Sequence, residues 1–411
     1  MEAIQMIRDA EKYLIPLFNA MGERAFINQS KVLQAFKDNR VRELHFSPSS
    51  GYGYSDTGRD LLENIFAQTF DAEAGLVRPQ IVSGTHAISA CLCSLLKSGD
   101  QLISASGPPY DTLANIIKGN QVPGHSLVER GIDYCEIPLI SGTEPDLAAL
   151  SQALSSRTKM VIIQRSRGYT LRPALTVAQI AAIVKTVRAV NPSIIVFVDN
   201  CYGEFCDIIE PSSCGAHLVA GSLIKNPGGG LAPSGGYIVG RKDLVEEVSY
   251  YLTAPGLGKE LGASLGNKRA YYQGFFLAPH TVLQALKGAV LVAYIFEQLG
   301  FEVYPRFNEE RGDIVQAIKL DNPEMVTQFC QIVQHCSPVD SDVKLEFARL
   351  PGYADPVVMA AGTFVQGSSI ELSCDAPLRA PFCAFWQGGL TYEHIRLVLH
   401  HLIDYFRSGG Y

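Results

Sequence analysis

Apolar residues along this chain change their spacing in a regular way, and the changes mark out its elements. Over the first 45 residues Ile4, Ile7, Leu14 and Leu17 recur at helical spacing among charged positions, which predicts two amphipathic helices. The next stretch, HFSPSSGYGYSDTGRD, is rich in Gly, Ser and Tyr and reads as a loop. Residues 61–74 return to a helical pattern. From RPQIVSG onward, strand-like and helix-like segments alternate: THAISACLCSLL, DQLISAS, YDTLANIIKGN, DYCEIP, DLAALSQAL, KMVIIQ, VAQIAAIVKTVRAV, SIIVFVD, AHLVAGSL and GGYIVG. The Val/Ile runs in KMVIIQ and SIIVFVD do not alternate with polar residues. Such strands are buried on both faces, as in a mostly parallel sheet covered by helices.

A long helix is predicted over 281–300, ending at Gly300. Beyond it the order changes: GDIVQAIKL, the helix NPEMVTQFCQIVQHC, the strands PVVMAAGTF and SSIELS, and the helix TYEHIRLVLHHLIDYF. This order predicts a smaller α+β unit. The fold class is therefore α/β, with an N-terminal helical segment (1–49), a large domain (50–300) and a small C-terminal domain (301–411).

Composition narrows the function classes. The chain is 47% hydrophobic and 18% charged with mean hydropathy +0.10, as in a soluble enzyme. Its net charge of −7 and lack of a Lys/Arg-rich block argue against nucleic-acid binding. The apolar stretch Gly288 to Phe296 is too short to span a bilayer, and the charged N-terminus reads as an amphipathic helix, not a signal peptide. No membrane partner and a cytoplasmic location follow. The ten cysteines lack zinc-type spacing, which points to reduced thiols and to no metal site.

Candidate chemistry concentrates between Val196 and Gly240. Asp199 ends the apolar run SIIVFVD, at the strand end where open α/β sheets bind ligands, or simply as a cap. Lys225 follows the apolar turn Ser222-Leu223-Ile224 and precedes a glycine-rich loop. In an apolar setting its ammonium is disfavoured and its pKa falls, as a Schiff-base nucleophile requires; the bland alternative is a surface lysine on a glycine-rich hairpin. Neither a P-loop nor a GxGxxG fingerprint is present, because the lysine precedes the glycines and a strand follows them. Ser83-Gly84-Thr85-His86 lies between a predicted strand and helix. It reads either as a phosphate site at a helix N-terminus or as a plain turn with Thr85 as the cap.

The segments GYGYSDTGRD (51–60), VSGTHA (82–87), IQRSRGY (163–169), VDNCYGEF (198–205), GSLIKNPGGGLAPSGGYIVG (221–240) and APLRAPF (376–382) together carry a resemblance. In order and content they resemble fold-type I enzymes that use pyridoxal 5'-phosphate (PLP). More narrowly, they are similar to the cystathionine and methionine lyase relatives known as methionine gamma-lyase-like or aluminium-resistance proteins. The resemblance implies that Lys225 anchors PLP covalently and Asp199 pairs with the pyridine nitrogen. It implies that Gly84, Thr85 and Ser222 hold the phosphate, while Tyr110 or His86 stacks on the ring and Gln164 reaches the phenolic oxygen. Tyr54 and Arg59 would be lent by a neighbouring subunit, so a homodimer or homotetramer is implied. Arg379 either binds the carboxylate of a small amino-acid substrate or is a surface arginine. Tyr110 would assist proton transfer, and the glycines would form a close-approach loop around the cofactor. The implied activity is carbon–sulfur bond elimination at Cβ or Cγ of a sulfur amino acid. An aminotransferase, a decarboxylase, a selenium-handling lyase and a non-catalytic PLP-fold protein are the alternatives.

Overall fold

The computed structural model describes residues 2–119, 124–350 and 352–408. Asn120, in a segment predicted as helix, lies outside them. Two sheets organise the fold. Helices α1 (Glu2–Asp38) and α2 (Thr57–Thr69) lead into strand β1 (Ala74–Arg78). Then come α3 (Gly84–Leu95), β2 (Gln101–Ser104), α4 (Asp111–Lys118), β3 (Asp133–Glu136), α5 (Leu147–Ala153) and β4 (Thr158–Gln164). These are followed by α6 (Val177–Val190), β5 (Ile195–Asp199), β6 (Leu218–Ser222), β7 (Gly236–Gly240) and α7 (Lys242–Leu252). The seven strands pair in the order β1-β7-β6-β5-β4-β2-β3, and all pairs are parallel except those made by β7.

Alternate residues of the central strands enter two separate apolar cores. Val161, Ile163, Val196 and Val198 face one, and Met160, Ile162, Ile195 and Phe197 the other. This two-sided burial is why these strands read as continuous apolar runs. Helix α8 (Lys268–Gln298) follows, then β8 (Val303–Tyr304), β9 (Val315–Lys319), α9 (Pro323–His335), β10 (Val357–Ala360), β11 (Ser373–Pro377), β12 (Cys383–Gln387) and α10 (Tyr392–Arg407). The second sheet is antiparallel, ordered β10-β11-β12-β9-β8. Helix α8 is long and apolar enough to cross a membrane by length and composition, but Ala285, Leu286, Val290 and Leu291 are buried in the core. All ten cysteines are free thiols, buried or half-buried.

Several expected elements shift. The two N-terminal helices are one, running through Pro16, because Ile7, Ala10, Leu14, Met21 and Val32 share one buried face that packing holds together. The strand expected at 78–84 ends at Arg78; residues 79–83 form the turn that sets up α3. There Ile81 supplies apolar character without pairing. The strand expected over SSIELS begins only at Ser373. The long helix starts at Lys268, well before 281, and continues through Pro279.

Candidate active site

Three neighbouring strands bring their carboxyl ends together. Gln164 on β4 and Asp199 on β5 are register partners, and Ser222 closes β6 beside them. A cavity of about 440 Å³ opens over these ends. Its wall includes Gly84, Thr85, Tyr110, Gln164, Asp199, Ser222, Lys225 and Arg379, eight of the residues singled out from sequence. Parallel strands gather side chains this way because their ends share one edge of the sheet.

Helix α3 points its N-terminus at this edge. Ser83 is its cap, the hydroxyl oxygen accepting from the His86 amide at 3.0 Å, so Thr85 is not the cap. The amides of a first helical turn lack intrahelical partners and attract anions. Gly84 is favoured here by close approach, because a Cβ would stand 3.0 Å from the Cys201 sulfur and 3.1 Å from the Ser222 Cβ. The resulting space, beside free amides and the Ser222 hydroxyl, fits a phosphate group.

Asp199 is 3% exposed, and its Oδ1 accepts the Cys201 amide at 3.1 Å. Burial raises its pKa, opposed by the positive charge of Lys225. The Lys225 Nζ stands 3.7 Å from the centroid of the Tyr202 ring, a cation–π contact. The expected depression of the Lys225 pKa does not hold. Burial lowers it, but the surrounding Cys201, Tyr202, Asp199 and Tyr110 outweigh burial and hold it above the ordinary lysine value. The lysine is surrounded by ionisable groups, with the Asp199 carboxyl among them, and not by the wholly apolar setting that the preceding residues suggest.

The glycine-rich loop also differs from expectation. Gly228, Gly229 and Gly230 do not line the cavity; they let the chain pack against other backbone. A Cβ on Gly229 would lie 2.3 Å from the Gly274 carbonyl oxygen of α8, and one on Gly228 would lie 1.8 Å from that of Leu223. Asn226 ties this loop to the turn after β5, its Nδ2 donating to the carbonyls of Tyr202 at 3.0 Å and Glu204 at 2.9 Å. Together these contacts place Lys225 opposite Asp199.

Gln164 supports Tyr110: its Oε1 accepts the Tyr110 amide at 2.9 Å, while its Nε2 donates to the Ser166 carbonyl at 2.9 Å. The Tyr110 phenol is pushed well above its ordinary pKa by burial and by Asp199, so it is neutral. His86 is turned away from the cavity wall, with its Nδ1 accepting the Val82 amide at 3.2 Å. Of these two, Tyr110 is the ring that borders the cavity. Arg379 borders the cavity, where its Nη1 pairs with Asp355 at 3.2 Å and its Nη2 donates to the Tyr169 carbonyl at 3.3 Å. It is not a free surface arginine.

Tyr54 and Arg59 are not brought to this cavity. Tyr54 is exposed, its ring 5.4 Å from that of Tyr52. Arg59 is buried, and its Nη1 donates to the carbonyls of Gly53 and Gly262 of its own chain. Sequence reasoning missed Cys201, Tyr202, Arg167, Tyr169, Tyr353 and Asp375 on the cavity wall. Cys201 and Tyr202 had a usable signal, since residues just beyond a strand-end carboxylate fall at the same edge. Tyr353 and Asp375 had none, because they reach the cavity only through the packing of the second sheet.

A sequence model of the methionine gamma-lyase family matches residues 3–407. The uncharacterized protein YnbB of Bacillus subtilis is 48% identical over 379 residues, covering 92% of this chain and 90% of that one. A crystal structure from Listeria monocytogenes, provisionally named a cystathionine beta-lyase involved in aluminium resistance, superposes with a TM-score of 0.95. It is 47% identical, with 97% of this chain and 99% of that chain covered. The PLP-dependent protein YhfS of Escherichia coli superposes with a TM-score of 0.59 over 93% of this chain and 97% of that chain; at 17% identity it shares the fold alone. With the family's match running from α1 to the end of α10, the chain belongs to the methionine gamma-lyase family.

Proposed function

We propose that this protein is a PLP-dependent carbon–sulfur lyase that acts on a sulfur amino acid by elimination at Cβ or Cγ. The observation that carries the proposal is the shared cavity: Lys225, Asp199 and the α3 N-terminus open onto one space, with Arg379 at its wall. Lys225 would hold the cofactor covalently, Asp199 would face its pyridine nitrogen, and Gly84, Thr85 and Ser222 would hold its phosphate. When bound, PLP supplies an electron sink for the negative charge left on Cα. Asp199, beside Lys225, is suited to hold a proton at a ring nitrogen. Arg379 takes the substrate carboxylate, pre-oriented by Asp355. Lys225 Nζ, the basic group over the strand ends, moves the Cα proton. The neutral phenol of Tyr110 serves the proton transfer to the departing thiolate.

We place the protein in the cytoplasm, on the support of its free thiols, and as a homo-oligomer whose neighbours receive the exposed Tyr54. The test is a panel of sulfur amino acids given to the PLP-loaded protein without an amino acceptor. Release of 2-oxo acid, ammonia and thiol is expected. Turnover only with an acceptor, or a colourless purified protein that takes up no PLP, overturns the proposal.

A further inference from the structure

One carboxylate on the cavity wall has no place in the reaction just described. Asp375 lies on β11 and borders the same space as Lys225. Its Oδ2 accepts two neutral donors, the Tyr169 hydroxyl at 3.2 Å and the Gln387 Nε2 at 2.7 Å. Its Oδ1 has no hydrogen-bond partner among the described residues. No lysine or arginine among the described residues lies within ion-pair distance of it; the nearby Arg379 is committed to Asp355. Burial pushes the carboxyl up to about 6, against its hydrogen bonds from Gln387 and Tyr169 and the more distant positive charge of Lys225, so it is ionised at neutral pH. Tyr169 is itself fixed between Tyr353, at 5.9 Å, and Phe385, at 5.3 Å. The carboxylate is therefore rigidly aimed and charged, with no cation in ion-pair contact; Lys225, which acts on it at longer range, is the group proposed to hold the cofactor.

A ligand decides whether that arrangement costs or gains. A neutral thioether arm filling the cavity displaces water from Asp375 and leaves a buried charge unpaired. An arm ending in an ammonium supplies the missing partner. Since Arg379 accounts for the α-carboxylate, the cationic group must be a second one, on the far side of the sulfur. We propose that Asp375 is a specificity-determining residue that selects sulfur amino acids whose leaving group carries an ammonium, over neutral thioethers such as S-alkylcysteines. The proposal rests on the lyase reading for its chemistry, but recognition can be measured apart from turnover.

The test uses the PLP-loaded protein and its Asp375→Asn variant with S-(2-aminoethyl)-L-cysteine, S-propyl-L-cysteine and S-(2-carboxyethyl)-L-cysteine, which differ only in the end of the arm. In the wild type, kcat/KM for the aminoethyl compound is expected to exceed that for the propyl compound on the order of tenfold or more, with the carboxyethyl compound last. In Asp375→Asn the aminoethyl-to-propyl ratio collapses towards one. The readout is a ratio, so a general loss of activity does not imitate it. A wild-type ratio near one, or a ratio unchanged by the substitution, overturns the proposal. Calorimetric binding of L-lysine and L-norleucine separates the two readings. If the wild type eliminates none of the three compounds, elimination at Cβ is ruled out, and the role of Asp375 is decided by binding alone. Tighter binding of lysine, on the order of tenfold, still supports Asp375 as the selector, and equal binding overturns it. The wild-type measurements decide the matter even if the variant does not fold.

Discussion

At the scale of single residues, Lys225 and Glu204 make opposite demands on the buried region beneath the cavity. Lys225→Ala removes the group proposed as both covalent anchor and base. Its visible cofactor absorption band is expected to disappear, and kcat to fall by roughly 10²–10⁴-fold or more, while far-UV circular dichroism is unchanged. A variant that keeps the band locates the anchor elsewhere. Glu204 is fully buried; its Oε1 accepts the Tyr237 hydroxyl at 2.8 Å, and its Oε2 has no hydrogen-bond partner among the described residues. Burial raises its carboxyl from 4.5 to about 8. Between those values the folded chain keeps a proton that the unfolded chain has lost, so its contribution to stability falls as pH rises through that window, by about 1.4 kcal/mol per pH unit. Glu204→Gln has no proton to lose and still accepts from Tyr237. Its melting temperature relative to wild type is expected to rise from pH 5 to pH 8; an offset constant with pH would mean that Glu204 is already ionised.

At the scale of elements, the glycine loop after Lys225 and helix α8 form one packing unit. Gly229 has a φ of +55° and lies where a Cβ would meet the Gly274 carbonyl oxygen at 2.3 Å. Gly229→Ala therefore strains the backbone and pushes the loop off α8, at a cost of about 1–3 kcal/mol. The same shift moves Lys225 relative to Asp199, so PLP occupancy is expected to fall together with the denaturation midpoint. Full occupancy at a lowered midpoint would show that the loop does not position the lysine. This coupling also marks what sequence could convey. The central strands were legible because burial on both faces leaves an unbroken apolar run, as in Met160–Ile163. Lys225, Asp199 and Gly84 were legible because each sits at a strand end or a helix start, where local pattern and ligand position coincide. The edge strand β1 was not, because AGLVR has only two large apolar residues and pairs with β7 alone. Nor was the electrostatic setting of Lys225, since Tyr110 reaches it from the connection after β2 while Asp199 and Tyr202 come from the end of β5. The glycines carried a true signal of close approach, but a loop's sequence does not say what approaches it.

At the scale of the whole molecule, the segment from Ser49 to Arg59 is built from within and finished only on one side. Leu265 N donates to the Ser49 carbonyl at 3.2 Å, Gly262 N donates to the Tyr52 carbonyl at 2.9 Å, and Arg59 holds Gly53 and Gly262 from below. Above this frame Tyr52 is 70% exposed, Tyr54 64% and Leu265 71%, a cluster of large apolar surface rather than scattered single residues. Ordering a loop this firmly in order to expose tyrosines makes physical sense if a second copy covers them. The resemblance assigned both Tyr54 and Arg59 to the neighbour's phosphate; with the Arg59 guanidinium engaged in its own chain, Tyr54 is the member free to cross. Cofactor affinity should then depend on association. At concentrations where sedimentation shows dissociation, PLP affinity is expected to drop on the order of tenfold, and Tyr54→Ala should lower affinity and association together. Tyr54→Phe, which keeps the ring and loses only the hydroxyl, separates the two contributions: association restored with affinity still low assigns the hydroxyl to the neighbour's phosphate. Dilution that leaves affinity unchanged would mean that each chain binds PLP unaided, with the tyrosines serving assembly alone.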